Sequence, residues 1–207
     1  MNHEYSVLGG LNRARVGQVI GALAAAISSG LVALLLAAVH LAQSLGLGQY
    51  VPTVLLPPIG AGVVFSVLYW FFNQHAWKIS FVANLLGVPN LSGKWKVKGQ
   101  ALSPDKSPSY KWDGEVTIIQ SWDRIRVRLK TNQSGSNSVT AALVRDEADG
   151  FRLFYSYRND PLANQADLNP HRGWAEITFN HSLTQGTGEY FNGLGRFTFG
   201  TMKLTRK

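Results

Sequence analysis

Residues 124–131 read RIRVRLKT, a stretch in which apolar and basic side chains alternate. Ile125, Val127 and Leu129 form one face of this stretch. The opposite face is basic and consists of Arg124, Arg126, Arg128 and Lys130. A period of two predicts a β-strand with one dry face and one wet face. The chain after residue 90 continues with short alternating runs between turn-forming clusters, without a persuasive helical period, so this part is predicted to be all β.

Eight strands are predicted after residue 90. They are Leu91–Ala101, Tyr110–Trp122, Arg124–Thr131, Asn137–Glu147, Phe151–Arg158, Arg172–Asn180, Thr184–Phe191 and Gly195–Thr205. Sequential strands with short links are typical of an up-and-down antiparallel barrel, in which closure removes the exposed sheet edges. A two-sheet sandwich is the alternative fold for this pattern.

Meander connectivity collects tight links at one end of such a barrel and longer loops at the other. The tight links are Asp123, 148–150 and 181–183, and the loops are 102–109, 132–136, 159–171 and 192–194. Trp95 lies at the tight end, where antiparallel pairing of the first and last strands brings Arg206 over its ring. This Gly-x-Trp with a C-terminal arginine resembles the signature of lipocalin-type barrels. A ligand mouth is expected at the end with the longer loops.

The N-terminal part of the chain has a different composition. The chain has 207 residues, a net charge of +8 and no cysteine, and its 15% of charged residues is below the usual value of about 25%. Among the 32 Asp, Glu, Lys and Arg residues, Glu4, Arg13 and Arg15 alone precede Lys78. The uncharged interval from Val16 to Trp77 is long enough for two membrane-spanning helices of about 20 residues each.

We expect the first span from Val16 to about Ala42 and the second from after Pro52 to about His75, with Pro57-Pro58 as a helix start. Basic residues flank the pair but not its loop, so the positive-inside rule places both chain ends in the cytoplasm. The predicted domains are a cytoplasmic segment 1–15, a two-helix transmembrane hairpin 16–80 and a cytosolic ligand-binding barrel 90–207.

Small residues recur every four positions along the first span. They are Gly17, Gly21, Ala25, Ser29, Ala33 and Ala37. Such a ridge lets another helix approach closely. It predicts self-association between protomers or, as the alternative, packing within the hairpin itself.

The loop end of the predicted barrel gathers polar and aromatic side chains that suit a nucleotide. The candidate ligand-binding residues are Thr131, Ser134, Ser136, Ser138, Tyr155, Tyr157, Arg158, Asn159, His171, Arg172, Tyr190, Asn192 and Arg196. Hydroxyls and amides read base edges, tyrosines stack on bases, and arginine grips phosphate. If Arg196 points inward, Phe197 and Phe199 point outward, towards a protein or the membrane. A buried cation needs an anionic partner, which predicts an anionic, aromatic small molecule as ligand. An ordinary wet barrel rim is the alternative.

Catalysis finds little support in the sequence, and no metal or cofactor is expected. The five histidines are scattered: His3, His40, His75, His171 and His181. No two of them share one element at metal-ligand spacing, and no paired nucleophile or phosphate-binding glycine loop is present. The protein is therefore predicted not to be an enzyme.

Several strings, taken in order, resemble the two-transmembrane β-barrel effectors of bacterial cyclic-oligonucleotide-based anti-phage signalling systems (CBASS), which are nucleotidyltransferase-associated membrane proteins. The strings are PNLSGKW at 89–95, IQSW at 119–122, Thr131 with Ser134, Ser136 and Ser138, YSYRN at 155–159, HRG at 171–173, and GEYFNG at 188–193 followed by Arg196.

The resemblance implies an antiviral effector of the bacterial inner membrane. A cognate nucleotidyltransferase, activated by infection, makes a cyclic dinucleotide that enters the barrel. Protomers then form a homo-oligomer whose helices act on membrane lipids, which causes growth arrest or cell death. No DNA or RNA polymer is expected as a partner. The residues alone leave two alternatives: a membrane-tethered, lipocalin-like binder of an apolar small molecule, or a structural membrane protein whose barrel binds another protein.

Overall fold

The computed structural model describes residues 2–47, 60–146, 148, 150–162, 164, 169–193 and 197–207. The chain divides into two compact units. One unit comprises Met1–Gly10 together with Trp77–Lys207, and the other comprises Leu11–Ala76. The described strands lie in the first unit and the long apolar helix lies in the second.

The described part of the chain forms three α-helices and nine strands. The helices are α1 (Arg13–Ser44), α2 (Ala61–Gln74) and α3 (Ser80–Leu86), with a 3₁₀ turn at Ala76–Lys78. The strands are β1 (His3–Leu8), β2 (Gly93–Leu102), β3 (Pro108–Gln120), β4 (Arg124–Thr131), β5 (Ser134–Asp146), β6 (Gly150–Pro161), β7 (His171–Phe179), β8 (Gln185–Asn192) and β9 (Phe199–Arg206).

The all-β nature of the C-terminal domain is confirmed, and the sheet closes into a barrel. Strands β2 to β9 follow each other as antiparallel neighbours, and β9 pairs with β2 to complete the circuit. Each of the eight predicted runs overlaps one of these strands. The count of eight is nevertheless wrong, because a ninth strand belongs to the same sheet.

Strand β1 comes from the N-terminal segment, for which no strand was predicted. Strands β4 and β5 pair directly only near the loop end, from Arg128↔Asn137 to Lys130↔Gly135. Beyond these pairs β1 lies between them, antiparallel to β4 at His3 and Glu4 and parallel to β5 from Tyr5 to Leu8. The N-terminal strand thus supplies hydrogen-bond partners to two edges that would otherwise be open.

A buried glutamine holds β1 in this position. Tyr5 is 3% exposed, and its hydroxyl accepts a hydrogen bond of 3.2 Å from Gln120 Nε2. The same amide nitrogen donates to the carbonyl of Pro89 at 3.1 Å, while Gln120 Oε1 accepts from the Leu91 backbone N–H at 2.9 Å. The amide is therefore satisfied at both ends, as a buried polar group requires, and it joins β1, β3 and the entry to β2.

The tight end of the barrel is filled with large apolar side chains. Trp95 is fully buried, its Nε1 donates to the Leu91 carbonyl at 3.1 Å, and its ring centroid lies 4.9 Å from that of Phe179. The Arg206 guanidinium lies 5.2 Å from the centroid of the Trp95 ring, which confirms the placement predicted from antiparallel pairing. Other fully buried side chains here are Ile118, Trp122, Ile125, Leu143, Leu153, Ile177 and Leu204. The interior of the barrel is therefore filled with side chains at this end.

The second unit consists of α1 and α2, which pack against each other. Asn12 caps α1, because its Oδ1 accepts a hydrogen bond from the Ala14 N–H at 2.8 Å. With 32 residues, α1 is about 48 Å long, and it is one candidate membrane span by length and composition. The predicted helix start at Pro57-Pro58 lies outside the described residues, and the described part of the second helix begins at Ala61.

A disulfide between β1 and β5 tests the position of the N-terminal strand. Ser6 and Ala142 are register partners whose side chains lie on the outer face. Paired strands lie about 4.8 Å apart, within the Cα separation of roughly 4.4–6.8 Å that a disulfide spans. Because the chain has no cysteine, we expect S6C/A142C to form one intramolecular disulfide under mild oxidation, detected by mass spectrometry of the full chain.

The cross-link closes a long loop, so the oxidised protein should unfold at higher temperature, with a stabilisation of about 4 kcal/mol in the chain-entropy model. The control pair S6C/T187C places the second cysteine on β8, which is not a neighbour of β1. Equal cross-linking in both pairs, or none in S6C/A142C, would contradict the position of β1.

Candidate functional site: a cup at the loop end of the barrel

A cavity of about 420 Å³ opens at the loop end of the barrel, and we call it the cup. Its volume is within the range of about 300–1,000 Å³ that small-molecule sites occupy. Nine of the predicted site residues line it: Thr131, Ser134, Ser136, Tyr155, Tyr157, Asn159, His171, Tyr190 and Asn192. The structure therefore brings together most of the residues that the sequence put forward, although their contact with a ligand stays a prediction.

Of the four remaining predicted site residues, two face away from the cup and one lies outside the described residues. Arg158 and Arg172 are exposed register partners on the outer face, and Arg158 forms an ion pair with Asp160 at 3.1 Å. Successive side chains of a strand point to opposite faces, so Arg158 cannot share the inward face of Tyr157 and Asn159. Arg196 lies outside the described residues.

Ser138 faces inward but below the cup. Its Oγ accepts a hydrogen bond from the Val127 N–H at 2.9 Å and lies 2.6 Å from His3 Nε2. This hydroxyl therefore bonds to both β4 and β1 at the point where β4 and β5 separate. Its role in the structure is to hold that junction together.

Eight lining residues were not among the predicted set. They are Tyr110, Lys111, Trp112, Asp113, Leu129, Asn132, Gln133 and Met202. Met202 and Leu129 are the inward positions of predicted strands, so alternation alone was a sufficient signal for them. Trp112 shares the inward alternation of Val116 and Ile118 on the same predicted strand, so the same signal indicated it.

Aromatic rings form the wall of the cup by lying on glycines of neighbouring strands. A Cβ built on Gly99 would lie 1.9 Å from the Trp112 ring, and one built on Gly173 would lie 2.4 Å from the Tyr157 ring. The indole Nε1 of Trp112 donates to the Tyr190 hydroxyl at 3.1 Å, and the two rings meet edge to face at 5.7 Å. The missing side chains of these glycines are what leaves space for the rings, and the rings present faces and edges to the cavity.

The turn between β4 and β5 is held by the hydroxyl of Thr131. Its Oγ1 accepts from the Ser134 N–H at 3.1 Å and from the Gln133 N–H at 3.2 Å. Ser134 Oγ in turn lies 3.1 Å from Asn159 Nδ2. Thr131 is therefore committed to the turn, while one end of the Asn159 amide remains available.

That free end of Asn159 is a candidate ligand contact. Asn159 is 7% exposed, and its Oδ1 is buried without a hydrogen-bond partner in the described part of the chain. A buried amide oxygen without a partner costs about 1–3 kcal/mol of stability. A ligand donor entering the cup would remove this cost.

Tyr155 offers a second free group. Its side chain is buried and lines the cup, and among the described residues its hydroxyl has no hydrogen-bond partner. Burial raises the pKa of the Tyr155 hydroxyl above its usual value, so the group stays protonated at neutral pH and acts as a donor. The neighbouring Tyr157 differs, because its hydroxyl donates to Asn192 Oδ1 at 2.8 Å.

The described wall of the cup is nearly free of formal charge. Apart from His171, its ionisable acids and bases are Lys111 and Asp113, both exposed at the rim. The His171 Nδ1 lies 3.2 Å from the Asn169 carbonyl. The site thus combines uncharged hydrogen-bonding groups and ring faces inside with one cation and one anion at the edge, and its interior suits an aromatic ligand.

Two family models match this chain. The model described as "Cap15, cyclic dinucleotide receptor domain" matches residues 86–206, and that described as "Cap15, TM helices" matches residues 14–78. The chain belongs to the Cap15 family. The receptor match contains all the described residues of the cup, and the helix match contains α1 and α2.

A protein of Yersinia aleksiciae is similar to this chain over nearly its full length. CD-NTase-associated protein 15 of Yersinia aleksiciae is 39% identical over 205 residues, which is 99% of this chain and 97% of that protein. The resemblance to the CBASS effector family is confirmed, and with it a CBASS-associated role in defence for a membrane-associated protein that has a cyclic dinucleotide receptor domain. The matching domain is a receptor, and the absence of enzymatic activity stays a prediction.

Substitution of Gly99 tests the aromatic wall. In G99A the new methyl group would overlap the Trp112 ring and push it into the cup. We expect a loss of about 1–3 kcal/mol in the free energy of unfolding, the usual cost of overpacking, with a shift in tryptophan emission. The control is G135A, where a Cβ meets its nearest atom at 3.8 Å and the change should stay within about 1 kcal/mol. Equal stability of the two variants in urea unfolding would exclude the Trp112–Gly99 contact.

Proposed function

We propose that this Cap15 protein is an anti-phage effector that binds a cyclic dinucleotide in the cup, assembles into oligomers and disrupts the inner membrane. Growth then stops or the cell dies before phage are released. The observation that carries the proposal is the coincidence of the matched receptor domain with an open cup that has ring faces and two unpartnered polar groups. For binding to drive assembly, the ligand must bind the assembled state more tightly than the resting state.

Different residues of the cup have different roles in this proposal. The Tyr155 hydroxyl and the free end of the Asn159 amide are placed to hydrogen-bond a base edge, and the rings of Trp112 and Tyr190 are placed to stack. Lys111 at the rim and Arg196, which lies outside the described residues, are the proposed phosphate partners. An apolar cargo would leave the Tyr155 and Asn159 groups unpaired inside the complex, at the usual cost of buried polar atoms, which favours the nucleotide.

The protein-binding alternative has one supporting observation. Phe197 is 88% exposed, whereas Phe199 is half-buried beside its register partner Phe191. A protein partner on this side of the barrel would cover Phe197. This surface is compatible with nucleotide binding, since it lies outside the cup.

Tyr155 and Tyr5 form a matched pair for testing the site. In Y155F the loss of a donor without a protein partner should weaken cyclic dinucleotide binding roughly 3- to 10-fold, at unchanged stability. In Y5F we expect lower stability and unchanged cyclic dinucleotide binding, because the Tyr5 hydroxyl is bonded to Gln120 far from the cup. Calorimetric titration of the full chain in detergent with a panel of cyclic dinucleotides, together with thermal unfolding, measures both quantities.

Arg196→Ala extends this test to the proposed phosphate partner. Loss of a charged contact should reduce affinity more than Y155F does, while the barrel remains folded. A ligand present at 100 times its dissociation constant should stabilise the wild-type protein by about 2.7 kcal/mol. If no cyclic dinucleotide stabilises the wild-type protein, the cup is not its receptor site. The same conclusion follows if Y155F, Y5F and R196A all bind the cyclic dinucleotide equally.

The proposed topology is a pair of membrane spans with the N-terminus and barrel in the cytoplasm, within domains 1–15, 16–80 and 90–207. The position of β1 supports it: residues 3–8 share a sheet with residues 93–206, so the intervening segment must cross the membrane an even number of times. Because α1 is long enough for one crossing, two crossings are the simplest solution. The basic residues Arg13, Arg15 and Lys78 flank the segment and indicate the cytoplasmic side.

The small-residue ridge of α1 is the proposed surface for self-association. The buried row of α1 is Val16, Ile20, Ala24 and Ser28, one position before the ridge. A Cβ built on Gly17 or Gly21 meets no atom of the described residues within 4 Å. The neighbouring row thus serves packing within the chain, and the ridge keeps space for a helix of another protomer.

Gly21→Leu tests this assignment against Gly30→Leu. Both glycines have open space around them, but Gly30 is out of phase with the ridge. We expect G21L to bind cyclic dinucleotide normally and to release less dye from vesicles than the wild-type protein, since close helix approach is blocked. G30L should release dye like the wild type. Equal dye release by G21L and the wild type would remove the ridge from the mechanism.

A further inference from the structure

A second cavity, of about 220 Å³, lies at the tight end of the barrel, opposite the cup. Three parts of the chain line it: α3 with the segment that follows it, the ends of β5 and β6 at Arg145 and Phe151, and the β7–β8 turn. Its basic side chains are Lys78, Arg145 and His181, and Ser80, Asn84 and Asn90 add hydrogen-bonding groups. Among the described residues that line it, none is Asp or Glu.

The basic side chains of this cavity are not neutralised within the described residues. The Arg145 guanidinium lies against Gly87, since a Cβ built there would be 3.5 Å from its Nη1. Arg145 has no ion pair or side-chain hydrogen bond in the described part of the chain, and Lys78 contacts the Trp77 ring at 5.8 Å. By contrast, nearby Arg152 is paired with Asp146 at 2.7 Å. A cavity lined in this way favours an anion.

The outer face of α3 is apolar beside this basic cavity. Phe81 is 77% exposed and Leu85 is 64% exposed, and the preceding Ile79 is 57% exposed. Residues four apart on a helix share a face, so Phe81 and Leu85 form one apolar strip, while Ser80, Ala83 and Asn84 line the cavity from another side. Large apolar side chains next to cations are the pattern of a segment that lies in a membrane interface.

The chain itself keeps this cavity close to the membrane segment. Lys78 follows the last residue of α2 by four positions, and four residues span at most about 14 Å. A headgroup phosphate of the leaflet that α2 reaches is therefore within range of Lys78.

We propose that the tight-end cavity binds the phosphate of an anionic phospholipid headgroup, with the apolar strip of α3 resting in the adjoining acyl region. Arg145 supplies a planar, two-pronged donor for the phosphate oxygens, and Lys78 supplies a compact charge. Basic pockets on the cytoplasmic side of membrane proteins recognise anionic headgroups by this chemistry. Inorganic phosphate shares the chemistry but lacks the acyl chains that the strip of α3 would contact.

The experiment is native mass spectrometry of the full chain, released from vesicles of phosphatidylcholine with or without phosphatidylglycerol. We expect the wild-type protein to retain one phosphatidylglycerol in preference to phosphatidylcholine. In R145Q we expect the share of protein that retains phosphatidylglycerol to fall at least 10-fold. The control is K203Q, which removes a positive charge from an exposed side chain of β9 and should behave like the wild type. Thermal unfolding verifies that each variant is folded.

Further measurements distinguish a lipid headgroup from inorganic phosphate as the group that the cavity binds. If millimolar inorganic phosphate displaces the retained lipid completely, the site recognises phosphate alone, and the membrane part of the proposal is wrong. F81S should weaken lipid retention while leaving Arg145 in place. Equal retention by R145Q, K203Q and the wild type, or equal retention of the two lipids by the wild type, would overturn the proposal. If R145Q is unfolded, K78Q provides the same comparison.

Discussion

The closed circumference of the sheet decides where this barrel is solid and where it is open. Inward positions at the tight end carry large apolar side chains such as Trp95 and Phe179, and these fill the interior. Towards the loops, inward positions include glycines next to aromatic residues, and the rings of Trp112 and Tyr157 occupy the space beside Gly99 and Gly173. Since a packed interior tolerates few voids, the size of the inward side chains along each strand places the cup.

The barrel is joined to both ends of the helical segment, at one end by the N-terminal strand and at the other by the residues from Trp77 onward. β1 precedes α1 by a few residues, and Trp77 follows α2 directly, yet β1 and the residues from Trp77 onward belong to one compact unit. His3 of β1 is 2.6 Å from Ser138, two residues from Ser136 of the cup. The wall of the cup is therefore connected to β1, and along the chain to the start of α1, by a short path of hydrogen bonds and chain.

The two cavities of the barrel differ in charge, and this difference separates their roles. The cup has an uncharged interior of aromatic rings and neutral hydrogen-bonding groups, with Lys111 and Asp113 at the rim. The tight-end cavity has Lys78 and Arg145 and no described carboxylate, an environment that attracts anions with little discrimination by shape. One barrel thus has an uncharged cavity at its loop end and a basic one next to its apolar helix α3.

The local pattern of the sequence determined much of this protein. The uncharged interval separated the apolar helices from the sheet, and the alternation around Ile125 located the strands to within a few residues, because both patterns arise from neighbours along the chain. Alternation also required Arg158 to face away from Tyr157, so the prediction that both residues contact the ligand did not follow from the strand pattern. Only the tertiary structure decided that β1 fills the gap between β4 and β5, that Ser138 is committed to this junction, and that Trp112 rests on Gly99. These contacts join residues far apart in the chain, and which distant partners meet depends on how the whole sheet closes.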